Sequence, residues 1–296
     1  MRLTIIGLAA LLVGTGVAGK EAKPFAEIAI EGNHRWIGYF SFSGDGKVFA
    51  VSHCWSLGPS FVSLFDAASG KLLRRVDGAE GSLNYFALAL SSDGKRLAVG
   101  GLEEIRIIDA ESGKLLHRLE SPHTIVRHLA FSPDGLTLAS CGIDKEVILW
   151  DVKTGEKTTT LKHDRKMVFC VAFSSDGKKV AALGLDITED EYASDWLVQV
   201  WDRATSKELS RVAGKAGETF SRPYLSPHGE MAVVRLEPSR LEVWDVTSGK
   251  LTSVIKGEGE GFGSGFELSP DNKSLVSVSY HTRFACVWGD SREWEA

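Results

Sequence analysis

One turn phrase recurs along the chain. It reads Ser43-Gly44-Asp45-Gly46-Lys47, Ser91-Ser92-Asp93-Gly94-Lys95, Ser132-Pro133-Asp134-Gly135, Ser174-Ser175-Asp176-Gly177-Lys178, Ser226-Pro227-His228-Gly229 and Ser269-Pro270-Asp271-Asn272-Lys273. The six copies lie about 45 residues apart, a period that belongs to repeat architectures. The chemistry is that of a tight turn. Pro presets φ, Asp caps its own backbone, and Gly or Asn accepts a positive φ. A second phrase follows each first one: Phe65-Asp66, Ile108-Asp109, Trp150-Asp151, Trp201-Asp202, Trp244-Asp245 and Trp288-Gly289. Most are followed by another turn, such as Ser69-Gly70-Lys71, Ser112-Gly113-Lys114 or Ser248-Gly249-Lys250.

Between the turns lie short alternating runs, among them 129–131, 136–140 and 147–150, rich in Val, Ile, Leu, Phe and Trp. Each repeat therefore predicts four strands and no helix. Composition agrees: the chain has 31 Gly but only 8 Pro, an excess of turns without Pro-rich linkers. Hydrophobic residues at 43% and charged residues at 25% give an ordinary globular balance. The net charge is −5 with no basic block, which argues against nucleic-acid binding.

Four-stranded units ending in Trp-Asp resemble the blades of WD-repeat β-propellers. The resemblance covers about residues 26–290 and is best in the third copy. It implies a buried hydrogen-bond network there of His123, Ser140, Asp144 and Trp150, running from the indole through Ser and His to Asp. Other copies depart from the pattern: Phe65 and Ile108 replace Trp, and the sixth copy ends Trp288-Gly289. The expected fold is all-β, one propeller of six four-stranded blades, with seven as the alternative. Residues 26–31 alternate as an outer strand and are expected to pair with the last blade and close the ring.

The first residues have the form of an exported leader. Arg2 is followed by an apolar run over 3–17, and Gly16-Val17-Ala18 is a small-x-small cleavage signal. The expected division is a signal peptide over 1–18, a linker over 19–25 and the propeller over 26–296. Cleavage would leave no membrane span and place the protein in the periplasm or outside the cell. Cys54, Cys141, Cys170 and Cys286 each lie in apolar runs and form no CxxC pair, so buried free thiols are expected.

Two repeats are long, the first and the fourth. Their extra residues fall between the second and third strands, at 54–60 and 186–196. The resemblance puts these connections on the face most used for binding. Candidate partner-binding residues there are Trp55 and Leu57 in the first, and Glu189, Asp190, Glu191, Tyr192 and Trp196 in the fourth. His34, Arg35 and Trp36 precede the first inner strand, and His281 and Arg283 occupy a turn of the sixth repeat. Asp186, Thr188 and Asp190 imitate the start of a calcium loop, but Glu191 stands where Gly is required. No P-loop, HExxH or GxSxG occurs. On the inner strands only His128 and Arg222 are potentially charged. No catalytic residue, metal or cofactor is expected. The reading is a monomeric, non-catalytic scaffold for protein partners, and the alternative is an exported propeller enzyme or small-ligand binder.

Overall fold

The computed structural model describes residues 3–5, 26–28, 36–54, 61–77, 87–186, 195–214, 224–226, 228–237, 240–256, 265–268, 275–278 and 285–288. Every regular element among them is a β-strand. The chain forms two compact units, Met1–Val13 with Lys23–Thr160 and Gly14–Ala22 with Leu161–Ala296.

In the first unit, β1 (Leu3–Ile5) pairs with β2 (Ala26–Ile28). Three antiparallel four-stranded meanders follow. The first sheet holds β3 (Trp36–Phe42), β4 (Val48–Cys54), β5 (Phe61–Asp66) and β6 (Leu72–Asp77). The second holds β7 (Ala87–Leu90), β8 (Arg96–Gly100), β9 (Glu104–Asp109) and β10 (Leu115–Glu120). The third holds β11 (Val126–Phe131), β12 (Thr137–Gly142), β13 (Glu146–Asp151) and β14 (Lys157–Lys162).

The second unit repeats the pattern twice. Its first sheet is β15 (Met167–Phe173), β16 (Lys179–Leu185), β17 (Trp196–Asp202) and β18 (Glu208–Gly214). Next come β19 (Tyr224–Leu225), β20 (Met231–Glu237), β21 (Arg240–Asp245) and β22 (Lys250–Lys256). The last sheet has three strands: β23 (Gly265–Leu268), β24 (Leu275–Val278) and β25 (Ala285–Trp288).

Cores form between consecutive sheets. Val62 and Leu64 pack with Leu88, Leu97 and Val99, and Ile105 and Ile107 with Leu129, Leu138 and Ile148. In the second unit Leu183 and Val198 pack with Leu225, Ala232 and Val234. The middle strand Thr137–Gly142 is buried throughout rather than on alternate residues as expected. Leu136 lies in the turn, 57% exposed, and not in the strand. The outer strands β6, β10 and β18 bury one apolar position each, Val76, Leu119 and Val212, and their exposed positions mix charges that discourage edge pairing with leucines such as Leu72, Leu73 and Leu115.

Both turn phrases work as chemistry dictates. Ser132 Oγ donates to Asp134 Oδ1 at 2.5 Å and accepts the Thr137 N–H at 3.0 Å, while Gly135 takes φ +67°. The same Ser-to-Asp bond recurs at Asp45, Asp93 and Asp176 and holds each carboxyl below its ordinary pKa of 3.8. The Asp after Trp builds the other turn: Asp151 accepts the N–H groups of Lys153 and Thr154, both at 2.8 Å. Gly70, Gly113, Gly155 and Gly249 supply the positive φ there, but the fourth repeat has Ser206 at φ 59°. Ser206→Gly is expected to stabilise the protein by roughly 0.5–1 kcal/mol, since it removes left-handed strain at some entropic cost. A urea midpoint that falls would contradict this.

One expectation is corrected. Residues 26–31 were to complete the last sheet, but Ala26–Ile28 pairs with Leu3–Ile5, with Leu3 opposite Ile28 and Ile5 opposite Ala26. A strand edge needs backbone partners, and the alternating Leu-Thr-Ile segment supplies them within the same unit. Among the described residues the last sheet has three strands.

Candidate functional site

The third sheet carries a chain of buried polar side chains. Trp150 on β13 donates its indole N–H to Ser140 Oγ on β12 at 2.9 Å. His123, fully buried in the turn before β11, meets Ser140 Oγ through Nε2 at 3.0 Å and Asp144 Oδ2 through Nδ1 at 2.5 Å. The consistent proton placement has Ser140 O–H donating to Nε2 and Nδ1–H donating to the carboxylate. An indole N–H and an imidazole can be buried only if each finds partners, and this arrangement supplies them.

The other sheets solve the same problem differently. Phe65 and Ile108 carry no N–H, and Val51 and Val99 stand at the serine position beside them. Trp244 donates to Glu242 Oε2 at 3.1 Å, and Glu242 is held in turn by Arg240 at 2.9 Å. The charge at Glu242 within Leu241-Glu242-Val243-Trp244 is the only sequence sign of that substitution.

In the fourth repeat Ala182 replaces the serine, opposite Gln199 as Ser140 is opposite Ile148. His163 remains buried, edge-on to Trp201 with ring centroids 6.1 Å apart. Its Nδ1 accepts the Arg165 N–H at 3.0 Å. The ring lies beside the backbone of Ala182 and Leu197, yet Nε2 makes no hydrogen bond of good geometry. Asp186 instead accepts the Lys166 N–H at 2.6 Å, with Arg165 at 3.7 Å. Ala182→Ser places a hydroxyl within the same framework and is expected to raise stability by about 1 kcal/mol. An unchanged or lower midpoint would argue that the hydroxyl cannot reach the ring.

Burial also holds His163 below its ordinary pKa of 6.5. A base with a depressed native pKa takes up a proton in the unfolded chain first, so stability is full above pH 6.5 and declines as pH falls below it. The Asp turns add a second decline below pH 3.8. In urea melts against pH, His163→Gln should flatten the upper decline and leave the lower one.

The WD domain, G-beta repeat, matches residues 113–151 and 155–202. These two matched segments contain the His123–Ser140–Trp150 chain and its incomplete counterpart at His163 and Trp201. No curated protein matches the chain in sequence. In fold, 1778 solved chains match. Among them is Kuenenia stuttgartiensis hydrazine synthase, at 15% identity and a TM-score of 0.60, covering 90% of this chain and 98% of that one. A likeness at that identity is one of fold, and a fold hosts many activities.

Among the expected surface residues, the structure relocates two. Trp196, proposed as a loop anchor at the end of the fourth repeat's insertion, is the first residue of β17 and 1% exposed. It lies over Gly214, its register partner, where a Cβ would stand 2.4 Å from the ring, and meets Trp244 edge-on at 5.4 Å. Trp36 opens β3 opposite Cys54, rather than the loop before it, since two consecutive strand-favouring residues extend the ladder. His34, Arg35, Trp55, Leu57, Glu189, Asp190, Glu191, Tyr192, His281 and Arg283 lie outside the described residues. Cys141 and Cys170 are buried. Among the described residues no His, Cys, Asp or Glu group is placed to hold a metal, and no helix is long and apolar enough to cross a membrane.

Sequence reasoning missed a polar cluster beside the β15–β18 sheet. Gln199 accepts the Asp164 N–H and donates to Glu208, and Arg211 bridges Glu208 and Asp164 at 2.6 and 2.8 Å. The two carboxylates raise the Arg211 pKa, and Arg211 holds Glu208 low. Arg127 on β11 was also missed.

Proposed function

We propose that this protein is a non-catalytic protein–protein interaction scaffold working in the periplasm or outside the cell. The supporting observation is the pair of WD-repeat matches at 113–202, because WD repeats typically mediate protein interactions. Repeated sheets give a rigid frame, and long connections on that frame give specificity. Six blades, closed by residues 26–31 on the last sheet, would form around one axis once the leader at 1–18 is removed. Among the described residues the last sheet has one strand fewer than the four-stranded sheets before it. Binding would use the loop face carrying Trp55, Leu57 and Tyr192, with His34, Arg35, Trp36, His281 and Arg283 around it. Glu189, Asp190 and Glu191 would lend that face a negative rim. Aromatic residues dominate the energetics of such surfaces.

The test is partner recovery from an extracytoplasmic fraction by the purified mature protein, compared with Trp55→Ala/Tyr192→Ala. Equal recovery with folding intact would remove the loop face from the reading. N-terminal sequencing of exported protein should begin at Gly19, and an intact Met1 would overturn the leader. The second reading, a propeller enzyme or small-ligand binder, is favoured only by the fold shared with an enzyme. Stoichiometric binding of calcium or zinc by the purified protein would move the balance toward it.

A further inference from the structure

Arg127 is the extra residue of a β-bulge. The register steps from Val126 opposite Gly142 to His128 opposite Cys141, leaving Arg127 without a cross-strand partner. β11 is an edge strand of its sheet, and just before the bulge Val126 N–H is pinned to the Gly101 carbonyl at 3.0 Å. Bulges re-aim side chains and recur beside binding sites. The Arg127 side chain is half-buried, and its Nε is enclosed without a hydrogen-bond partner.

Among the described residues the other covered guanidiniums are partnered, and half-buried Arg74, which makes no ion pair or hydrogen bond, does not enclose its Nε. Arg106, Arg165 and Arg240 each face a carboxylate, and Arg96 and Arg203 each donate to a carbonyl. Arg165 and Arg240 also enclose Nε, but their terminal nitrogens carry the ion pair. Arg127 has neither ion pair nor hydrogen bond among the described residues. Arginine cannot discharge itself by losing a proton, so the unmet Nε–H persists in the folded protein.

We propose that Arg127 is a docking point for a single carboxylate of a partner polypeptide, an Asp or Glu side chain or a chain terminus. The inference rests on the interaction-scaffold reading and names the chemistry its partner must present. A planar fork of N–H donors matches a carboxylate in two parallel hydrogen bonds. The chain as a whole carries −5, so it offers no basic field for a polyphosphate or nucleic acid. One local cation in a net-negative protein selects one local anion.

The experiment is ¹⁵N NMR of the full chain, following the Arg127 Nε–Hε signal as N-acetylglutamate is added at constant ionic strength. Sodium chloride is the reference. The expected result is a saturable shift with a millimolar half-point, weakened about tenfold in Arg127→Lys and lost in Arg127→Leu. A shift no larger than that from chloride overturns the proposal. Arg127→Leu should leave the thermal midpoint unchanged or raise it, because it removes an unmet donor. A clear fall would make the guanidinium structural and would also overturn the proposal. Partner recovery separates this inference from the broader reading. If wild type and Arg127→Leu recover a partner equally, the arginine's role fails while the scaffold stands. If wild type recovers none but the saturable shift is present, the scaffold fails while the carboxylate site stands.

Discussion

Ser140→Ala is expected to destabilise the protein by about 2–4 kcal/mol. The substitution removes one oxygen and leaves two buried groups without partners, the Trp150 indole N–H and His123 Nε2. Each unmet group costs about 1–3 kcal/mol, whereas the alanine methyl fits the space already there. The reading would be a lower urea midpoint with an unchanged slope. The double variant Ser140→Ala/Trp150→Phe should lose less than the sum of the two single losses, because phenylalanine asks nothing of the missing hydroxyl. The second sheet sets the precedent, with Ile108 beside Val99. Strict additivity would mean that the chain of hydrogen bonds does not act as a unit.

Gly142→Ala should be worse, at about 3 kcal/mol or more. A Cβ at Gly142 would stand 2.4 Å from the Ile125 carbonyl oxygen and 2.9 Å from His123 Cβ. Backbone oxygen cannot rotate away as a side chain would, and Ile125 lies just ahead of the pinned start of β11. Relief therefore has to come from moving the turn that holds His123. Gly184, one residue before the end of β16, is crowded in the same way, with the His163 ring and the Met167 carbonyl against it. The control is Gly135→Ala, whose Cβ meets only Arg96 at 3.9 Å and suffers from φ +67° alone. It should cost about 1 kcal/mol. If the two glycines cost the same, crowding at the end of β12 is not what selects glycine there.

What could be read ahead of the structure follows from how far each determinant lies along the chain. The turns were legible because Ser132, Asp134 and Gly135 satisfy one another within a few residues, and the same holds from Asp151 to Gly155. Trp150, Ser140, His123 and Asp144 were legible as residue types through the resemblance to WD blades, although nothing local joins them. Trp196 was misplaced because its burial is decided by Gly214 on the neighbouring strand and Trp244 in the next sheet. Nothing within the segment around it distinguishes an anchor from a core residue. The partner of β2 was misjudged for a related reason. An alternating segment specifies which face is apolar but not which edge it will join, and Leu3–Ile5 competes for it with the last sheet. Arg127 escaped notice because a bulge shifts the face of one residue, and no pattern of alternation announces it.

The four Ser-x-Asp-Gly turns also bear on how the molecule ages. Asp-Gly pairs are the weakest points of many chains, because the glycine nitrogen can attack the aspartate side-chain carbonyl and expel water, closing a succinimide that reopens as isoaspartate. Here both reactants are tied down. The N–H of Gly46, Gly94, Gly135 and Gly177 is bound to the carbonyl of the turn's serine at 2.8–2.9 Å, and each carboxylate takes a hydrogen bond from that serine's hydroxyl. Those carboxyls are also held ionised, the less electrophilic form, at Asp45, Asp93 and Asp176. The hydrogen bonds that set the topology thus slow covalent damage at four places where the bare sequence invites it, for as long as the turns stay folded.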